Sequence, residues 1–236
     1  RMTETGLPFV YVNMVGGQDE LVFDGSSFAL NLGGKIASQM PSFSEGLSLL
    51  EVRSQSGTCH LTGQISRPAA AEEDVWRALT LGVRDYVEKN GFPGVILGLS
   101  GGVDSAIVAV LAVDALGPER VRVVMMPSDY TADISLADAE ELADNLGLTL
   151  ETIALRAGMD AFDSMLEASL EGTEMDVTEE NIQSRLRGMI LMALSNKFGN
   201  MVLATGNKSE YAAGFSTLYG DRCGGFAPIR DVWKTE

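Results

Sequence analysis

The chain has 236 residues, 45% of them hydrophobic, enough for a substantial core in one large domain or one domain with part of another. Seventeen basic against thirty-three acidic side chains leave a formal charge of −16, which argues against nucleic acid or an anionic membrane as a bulk partner. The two cysteines, Cys59 and Cys223, fit neither a disulfide framework nor a zinc spacing and imply reduced thiols in a cytoplasmic protein; the single histidine, His60, excludes a histidine metal cluster.

Residues 7–14 read as a β-strand, and residues 21–23, 27–31 and 35–39 follow as short strands punctuated by Gly16-Gly17, Gly25 and Gly33-Gly34. Residues 51–66 are polar with scattered apolar positions, and Arg67-Pro68-Ala69-Ala70-Ala71-Glu72-Glu73 reads as a linker. We therefore expect a β-rich region over 1–66, a linker over 67–74 and a second domain over 75–236. Asp74 is expected to cap a helix whose apolar stripe is Trp76, Leu79, Val83, Tyr86 and Val87, with Gly91 as its stop.

The chemistry is concentrated in Gly98-Leu99-Ser100-Gly101-Gly102-Val103-Asp104-Ser105, between an apolar run at Val95–Leu99 and another at 106–116. This is strand, glycine loop, helix. Two glycines let the backbone turn tightly, and the helix presents unpaired N–H groups at its positive end, which is a cradle for phosphate. Ser100 and Ser105 add hydroxyls. Asp104 adds a carboxylate that repels phosphate unless a divalent cation lies between them, so the acid implies magnesium. The string lacks the Gly-Lys-Ser/Thr of a Walker loop and the Gly-x-Gly-x-x-Gly of a dinucleotide fingerprint.

Downstream, Val121–Met126 and residues 149–153 read as covered strands, with a helix opened by Ser135 and Asp138 between them. Pro127 and Ser128 lie at the carboxyl end of the second strand, where they can border an adenine or ribose. The alternation of strand and helix predicts an α/β fold with a doubly wound parallel sheet. A helix is expected over 157–174, then a long one capped by Thr178. In this helix Asn181 and Arg185 share one face while Gln183 and Arg187 share another. Residues 201–204 form the next strand and Thr205-Gly206-Asn207-Lys208-Ser209-Glu210 the loop at its carboxyl end, which brings Thr205 and Glu210 to the sheet edge that carries the glycine loop. Asp104 and Glu210 are then a pair that can share one magnesium.

The Gly98–Ser105 string resembles the pyrophosphate loop of the ATP pyrophosphatase superfamily, of adenine nucleotide alpha hydrolase-like fold. Glu179-Glu180-Asn181-Ile182-Gln183-Ser184-Arg185-Leu186-Arg187, Thr205–Glu210 and residues 215–221 with 224–228 narrow the resemblance to glutamine-dependent NAD synthetases. Residues 12–27 resemble the end of the nitrilase-like glutaminase domain of that family, whose Cys, Lys and Glu are expected upstream of residue 1. The resemblance implies ATP contacts at Gly98, Leu99, Ser100, Gly101, Gly102, Val103, Asp104, Ser105 and Thr205. It places deamido-NAD at Asn181 and Glu210, magnesium at Asp104 and Glu210, and no nucleophilic side chain. Substrates would be deamido-NAD, ATP and glutamine or ammonia, in a homo-oligomer. The rival readings are GMP synthetase, whose loop can read the same, and a non-catalytic adenine-nucleotide-binding module, which needs no paired acids.

Overall fold

The computed structural model describes residues 2–55, 57–220 and 222–235. The chain forms two compact units that divide within one helix, Arg1–Tyr86 and Val87–Glu236.

The first unit is β-rich, which fits the remnant of a nitrilase-like domain. A short helix α1 (Met2–Thr5) precedes strands β1 (Phe9–Tyr11), β2 (Val15–Gln18), β3 (Leu21–Asp24), β4 (Phe28–Leu30), β5 (Ile36–Gln39), β6 (Glu51–Gln55) and β7 (Thr58–Thr62). They pair antiparallel as β1-β4-β5, β2-β3 and β6-β7. The strand expected over 7–14 is broken at Asn13. Its Oδ1 accepts from the Met14 N–H at 3.0 Å and its Nδ2 donates to Asp24 Oδ1 at 2.9 Å, side-chain bonds that hold the chain between β1 and β2. Ala29, Ala37 and Leu61 form a small core joined by Leu50 and Cys59. Buried Asn31 pins that core, donating from Nδ2 to the Leu61 carbonyl at 2.9 Å and accepting the Leu61 N–H on Oδ1 at 2.8 Å. Cys59 is thus a packing residue, and His60 pairs across the hairpin with Arg53.

Helix α2 (Ala71–Lys89) begins before Asp74, which lies in its first turn and donates its N–H to the Ala70 carbonyl at 3.0 Å. Three consecutive alanines favour the helix and let it propagate upstream of the expected cap. Asp85 of this helix accepts the Gly17 N–H at 2.7 Å, where a Cβ on Gly17 would stand 3.0 Å from the Asp85 Cβ.

The second unit is the expected α/β layer structure. It comprises β8 (Val95–Gly98), α3 (Val103–Leu116), β9 (Val121–Met125), α4 (Asp133–Leu146), β10 (Leu150–Thr152), α5 (Arg156–Leu170), α6 (Val177–Phe198), β11 (Met201–Val202) and α7 (Lys208–Ala213). The four strands are parallel in the order β10-β9-β8-β11. Successive strand residues point to opposite faces, yet Val95, Ile96 and Leu97 are all 0% exposed, so helices cover both faces. Ile96, Val124 and Val202 meet Leu186 and Leu191 of α6 in one cluster, each such side chain contributing roughly 1.5–3 kcal/mol of burial. The order reverses between β8 and β11. Ligands of open α/β sheets bind beside such a switch point, at the carboxyl ends of the strands.

Two further helix starts, after that of α2, differ from expectation. Helix α6 is capped by Asp176, not Thr178: the Asp176 carboxylate accepts the Thr178 N–H at 2.7 Å and Glu179 accepts the Asp176 N–H at 2.9 Å, a reciprocal box that Thr178 has no partner to form. Hydrogen bonds from the Thr178 hydroxyl and then its N–H hold the Asp176 carboxyl below its ordinary range. Helix α4 starts at Asp133, two residues before the expected Ser135, and has no side-chain cap because its cap position is Ala132, which carries no acceptor.

Candidate nucleotide-binding site

A cavity of about 290 Å³ opens at the switch point. From the glycine loop it takes Gly98, Leu99, Ser100, Gly102, Asp104 and Ser105, and from the end of β11 it takes Thr205 and Glu210. A larger one, about 460 Å³, lies in the first unit; its lining includes several serines, but among the described residues Glu45 is its one charged side chain, against the two acids and two arginines of the smaller cavity. Chemistry, not size, selects the smaller.

The glycine loop is braced from within. Ser105 is 3% exposed, and its hydroxyl donates to the Gly102 carbonyl at 2.9 Å while accepting the Ser100 N–H at 3.1 Å. Ser100 Oγ lies 3.0 Å from Ser105 Oγ and accepts the Gly102 N–H at 3.2 Å. Both hydroxyls thus shape the loop. Gly101 has φ +77°, and a Cβ there would meet the Ser135 carbonyl oxygen of α4 at 2.2 Å. Only glycine fits. Gly101 and Val103 complete the turn without lining the cavity.

The segment expected as a loop over 205–210 is shorter than that. Asn207 caps α7 through a second reciprocal box: its Oδ1 accepts the Glu210 N–H at 3.1 Å and its own N–H donates to Glu210 Oε2 at 3.1 Å. The cap holds Glu210 at the cavity. From the other side Asn207 Nδ2 donates to Asp104 Oδ1 at 3.1 Å, so one amide links the two acids that sequence paired.

Each acid also has a cation that sequence did not find. Lys234 Nζ lies 2.8 Å from Asp104 Oδ2, and Arg222 Nη2 lies 3.4 Å from Glu210 Oε2. The Asp104 hydrogen bond and charge, with Glu210 behind them, raise the Lys234 ammonium above the usual lysine value. Arg222 is held over the Tyr211 ring at 4.7 Å, donates to the Phe215 carbonyl, and its buried Nη1 has no hydrogen-bond partner among the described residues. The Lys234 segment docks on the start of α7, with Lys208 N–H donating to Val232 O at 2.9 Å and Lys234 N–H to Ser209 Oγ at 3.1 Å.

The conspicuous string on α6 splits. Arg187 lines the cavity and donates from Nε to the Met126 carbonyl at 3.3 Å. Asn181 does not reach the cavity: its Oδ1 accepts from Thr217 Oγ1 at 2.8 Å, and Arg185 Nε donates to the Leu218 carbonyl at 3.2 Å. The same-face pair therefore holds residues 217–218 against α6, where a Cβ on Gly220 would meet Ser184 Oγ at 2.1 Å. Asp221, the last residue of the 215–221 string, lies outside the described residues. Met125, Met126 and Thr131 line the cavity in place of Pro127 and Ser128.

Among the described residues no three His, Cys, Asp or Glu side chains gather as a metal cluster, and no helix is long and apolar enough to cross a membrane. What the site offers is two carboxylates from separate motifs beside a phosphate-shaped turn, a donor set that fits magnesium when phosphate oxygens and water supply the other positions.

Fold and site together define an α/β nucleotide-binding domain with an anion loop at its switch point. Residues 75–236 match the family model described as NAD synthase, and the chain belongs to the NAD synthase family. It is 52% identical over its whole length to the glutamine-dependent NAD(+) synthetase of Rhodobacter capsulatus, covering 43% of that protein, and 51% identical to the Synechocystis enzyme of the same name, covering 41% of it. Among solved structures, the glutamine-dependent NAD+ synthetase of Acinetobacter baumannii in complex with adenosine diphosphate matches 97% of the chain at TM-score 0.91 and 49% identity, again over 43% of that protein. The NH3-dependent NAD synthetase of Campylobacter jejuni matches 71% of each chain at TM-score 0.65 and 32% identity. The chain thus spans less than half the length of the glutamine-dependent relatives it matches.

Proposed function

We propose that this chain carries the ATP-binding half of an enzyme that makes NAD from deamido-NAD, ATP and glutamine-derived ammonia. The observation that carries the reading is the convergence of the braced glycine loop, Asp104 and Glu210 on one cavity at the switch point. In this reading residues 1–66 end a glutaminase domain, 67–74 connect it, and 75–236 belong to the synthetase domain of a cytoplasmic homo-oligomer. Exposed Phe215, Leu218 and Tyr219, on the segment that Asn181 and Arg185 hold down, support a subunit contact there.

Backbone N–H groups of the Ser100–Ser105 turn other than those of Ser100 and Gly102, which bond within the loop, bind the pyrophosphate part of ATP, and Thr205 borders the nucleotide. Asp104 and Glu210 hold magnesium, which neutralises phosphate charge when bound. Lys234, Arg222 and Arg187 add positive charge around the same cavity. The nicotinate carboxylate attacks the α-phosphorus, forming an acyl–phosphate bond as the α–β phosphoanhydride breaks and pyrophosphate leaves. Ammonia then displaces AMP, and the acyl carbon keeps the nitrogen as the amide. The chain's groups act by positioning and charge, and no side chain attacks.

The test is to supply the full-length protein with ATP, magnesium and ammonia and to measure pyrophosphate release and NAD formation with deamido-NAD against xanthosine monophosphate. Release with deamido-NAD alone is expected. Release with xanthosine monophosphate would assign the site to a GMP-forming relative, and magnesium-independent nucleotide binding without turnover would assign it to a sensing module.

A further inference from the structure

Asn207 is 2% exposed, and its polar atoms serve two distinct ends. A helix cap needs an oxygen, and serine, threonine or aspartate supplies one as well as asparagine does. The Asn207 Oδ1 does that work for α7, accepting the Glu210 N–H at 3.1 Å. The Nδ2 group is the part that a cap does not need, and it donates to Asp104 Oδ1 at 3.1 Å across 103 residues of sequence. Aspartate here would set carboxylate against carboxylate, and serine or threonine would fall short of Asp104. The amide is the one common cap that serves both acids.

We propose that Asn207 is a positioning residue that fixes Asp104 and Glu210 relative to each other so that both address one divalent cation. Among the described residues the contacts to the Glu210 carboxylate, from the Asn207 N–H and from Arg222, fall on Oε2, and Oε1 is the oxygen offered to a ligand. On Asp104 the amide takes Oδ1 and Lys234 takes Oδ2. Without the Nδ2 donor, Asp104 rotates about its side-chain bonds toward Lys234 alone, and the spacing of the two acids is no longer set by a buried group. The proposal rests on the reading that the two acids share magnesium.

The experiment compares Asn207→Ser and Asn207→Ala with the unsubstituted full-length protein. Mn2+ binding in the presence of ADP is followed by electron paramagnetic resonance, and thermal stability is measured alongside. Both substitutions remove the donor to Asp104, but only alanine removes the cap. Loss of a hydrogen bond to a charged group predicts Mn2+ binding roughly 10-fold or more weaker in both variants, while the melting temperature falls in both and falls further in the alanine variant, which also loses the cap. In turnover the same two variants need more magnesium and show a lower kcat, with the KM for deamido-NAD unchanged. Native Mn2+ affinity in the serine variant, or Mn2+ affinity that tracks stability across the pair, reduces Asn207 to a cap and overturns the proposal. Should the serine variant not fold, Asn207→Thr takes its place by the same logic. NAD formation by the unsubstituted protein is scored separately, so a protein that binds Mn2+ through Asn207 and makes no NAD refutes the reading of the reaction and not this coupling.

Discussion

Gly101→Ala tests whether the glycine loop is built as described. Its φ of +77° costs a residue with a Cβ about 1–2 kcal/mol, and the new Cβ would stand 2.2 Å from the Ser135 carbonyl oxygen and 2.7 Å from its Cα. Those neighbours are backbone in the first turn of α4 and cannot swing aside, so the loop or the helix must retreat by roughly 1 Å. Together the terms give about 3–4 kcal/mol. Gly102 is the internal control: its φ is −90°, and a Cβ there meets only Ser100 Oγ, at 3.3 Å. Alanine at this cap position costs about 1 kcal/mol. Urea unfolding of both variants, with ATP binding by calorimetry, reads the difference directly. A Gly101→Ala protein as stable as Gly102→Ala, with native nucleotide affinity, would refute the account of the turn.

The remaining site residues give three further expectations. Asp104→Asn and Glu210→Gln should each raise the magnesium needed for half-maximal turnover, and the double variant should lose much less than the sum, because the first loss already dissolves the shared site; additive losses would mean separate roles. Asn181→Ala removes the neutral hydrogen bond to Thr217, which should cost about 0.5–1.5 kcal/mol of stability in urea unfolding, and, by loosening the 217–218 segment that it holds, should raise the deamido-NAD requirement with the ATP requirement unchanged; equal rises for both substrates would sink the expected deamido-NAD role of Asn181. For Lys234 the sign follows from its raised folded-state pKa: its stabilising contribution is present below the ordinary lysine value and is lost as pH rises through the folded one. The melting difference from Lys234→Met should therefore hold steady from about neutrality to about pH 10 and vanish at more alkaline pH. A difference that fades before the ordinary lysine range would contradict the ion pair.

Much of this is legible in sequence because it is local. An apolar run, two glycines and a second apolar run occupy contiguous residues, so β8, its turn and α3 can be read without the rest of the chain, and the alternation that follows fixes a parallel sheet. The caps were within reach too. Asp176 with Glu179 and Asn207 with Glu210 both have the capping-box spacing, and it is this pairing, not the presence of a hydroxyl at Thr178, that decides where α6 starts. Long-range pairs are different. Lys234 is 130 residues from Asp104 in sequence, and Thr217 is 36 from Asn181, so only the folded chain says which side chains meet. Motif strings mislead in one further respect: neighbouring Arg185 and Arg187 look equivalent, yet one serves a carbonyl of the 217–218 segment and the other the nucleotide cavity.

The two cations beside the acids are built for unequal work. Lys234 has a side chain half exposed on a flexible stem, and its pair with Asp104, itself 23% exposed, falls in the surface range of about 0–1 kcal/mol. Releasing that pair costs little, and the freed ammonium stays within reach of whatever binds beside Asp104. Arg222 is 12% exposed, stacked on Tyr211, bonded to the Phe215 carbonyl and set against Glu210, while its buried Nη1, unpaired among the described residues, gives back part of what those contacts contribute. Arg222→Met should then cost about 1–3 kcal/mol of stability, leaving Glu210 with an uncompensated charge, whereas Lys234→Met should cost no more than about 1 kcal/mol and show itself mainly as weaker ATP binding. Denaturant unfolding and ATP calorimetry on the two variants separate the roles. Equal stability losses, or an ATP affinity untouched in Lys234→Met, would mean that the exposed lysine is a strut like its buried counterpart.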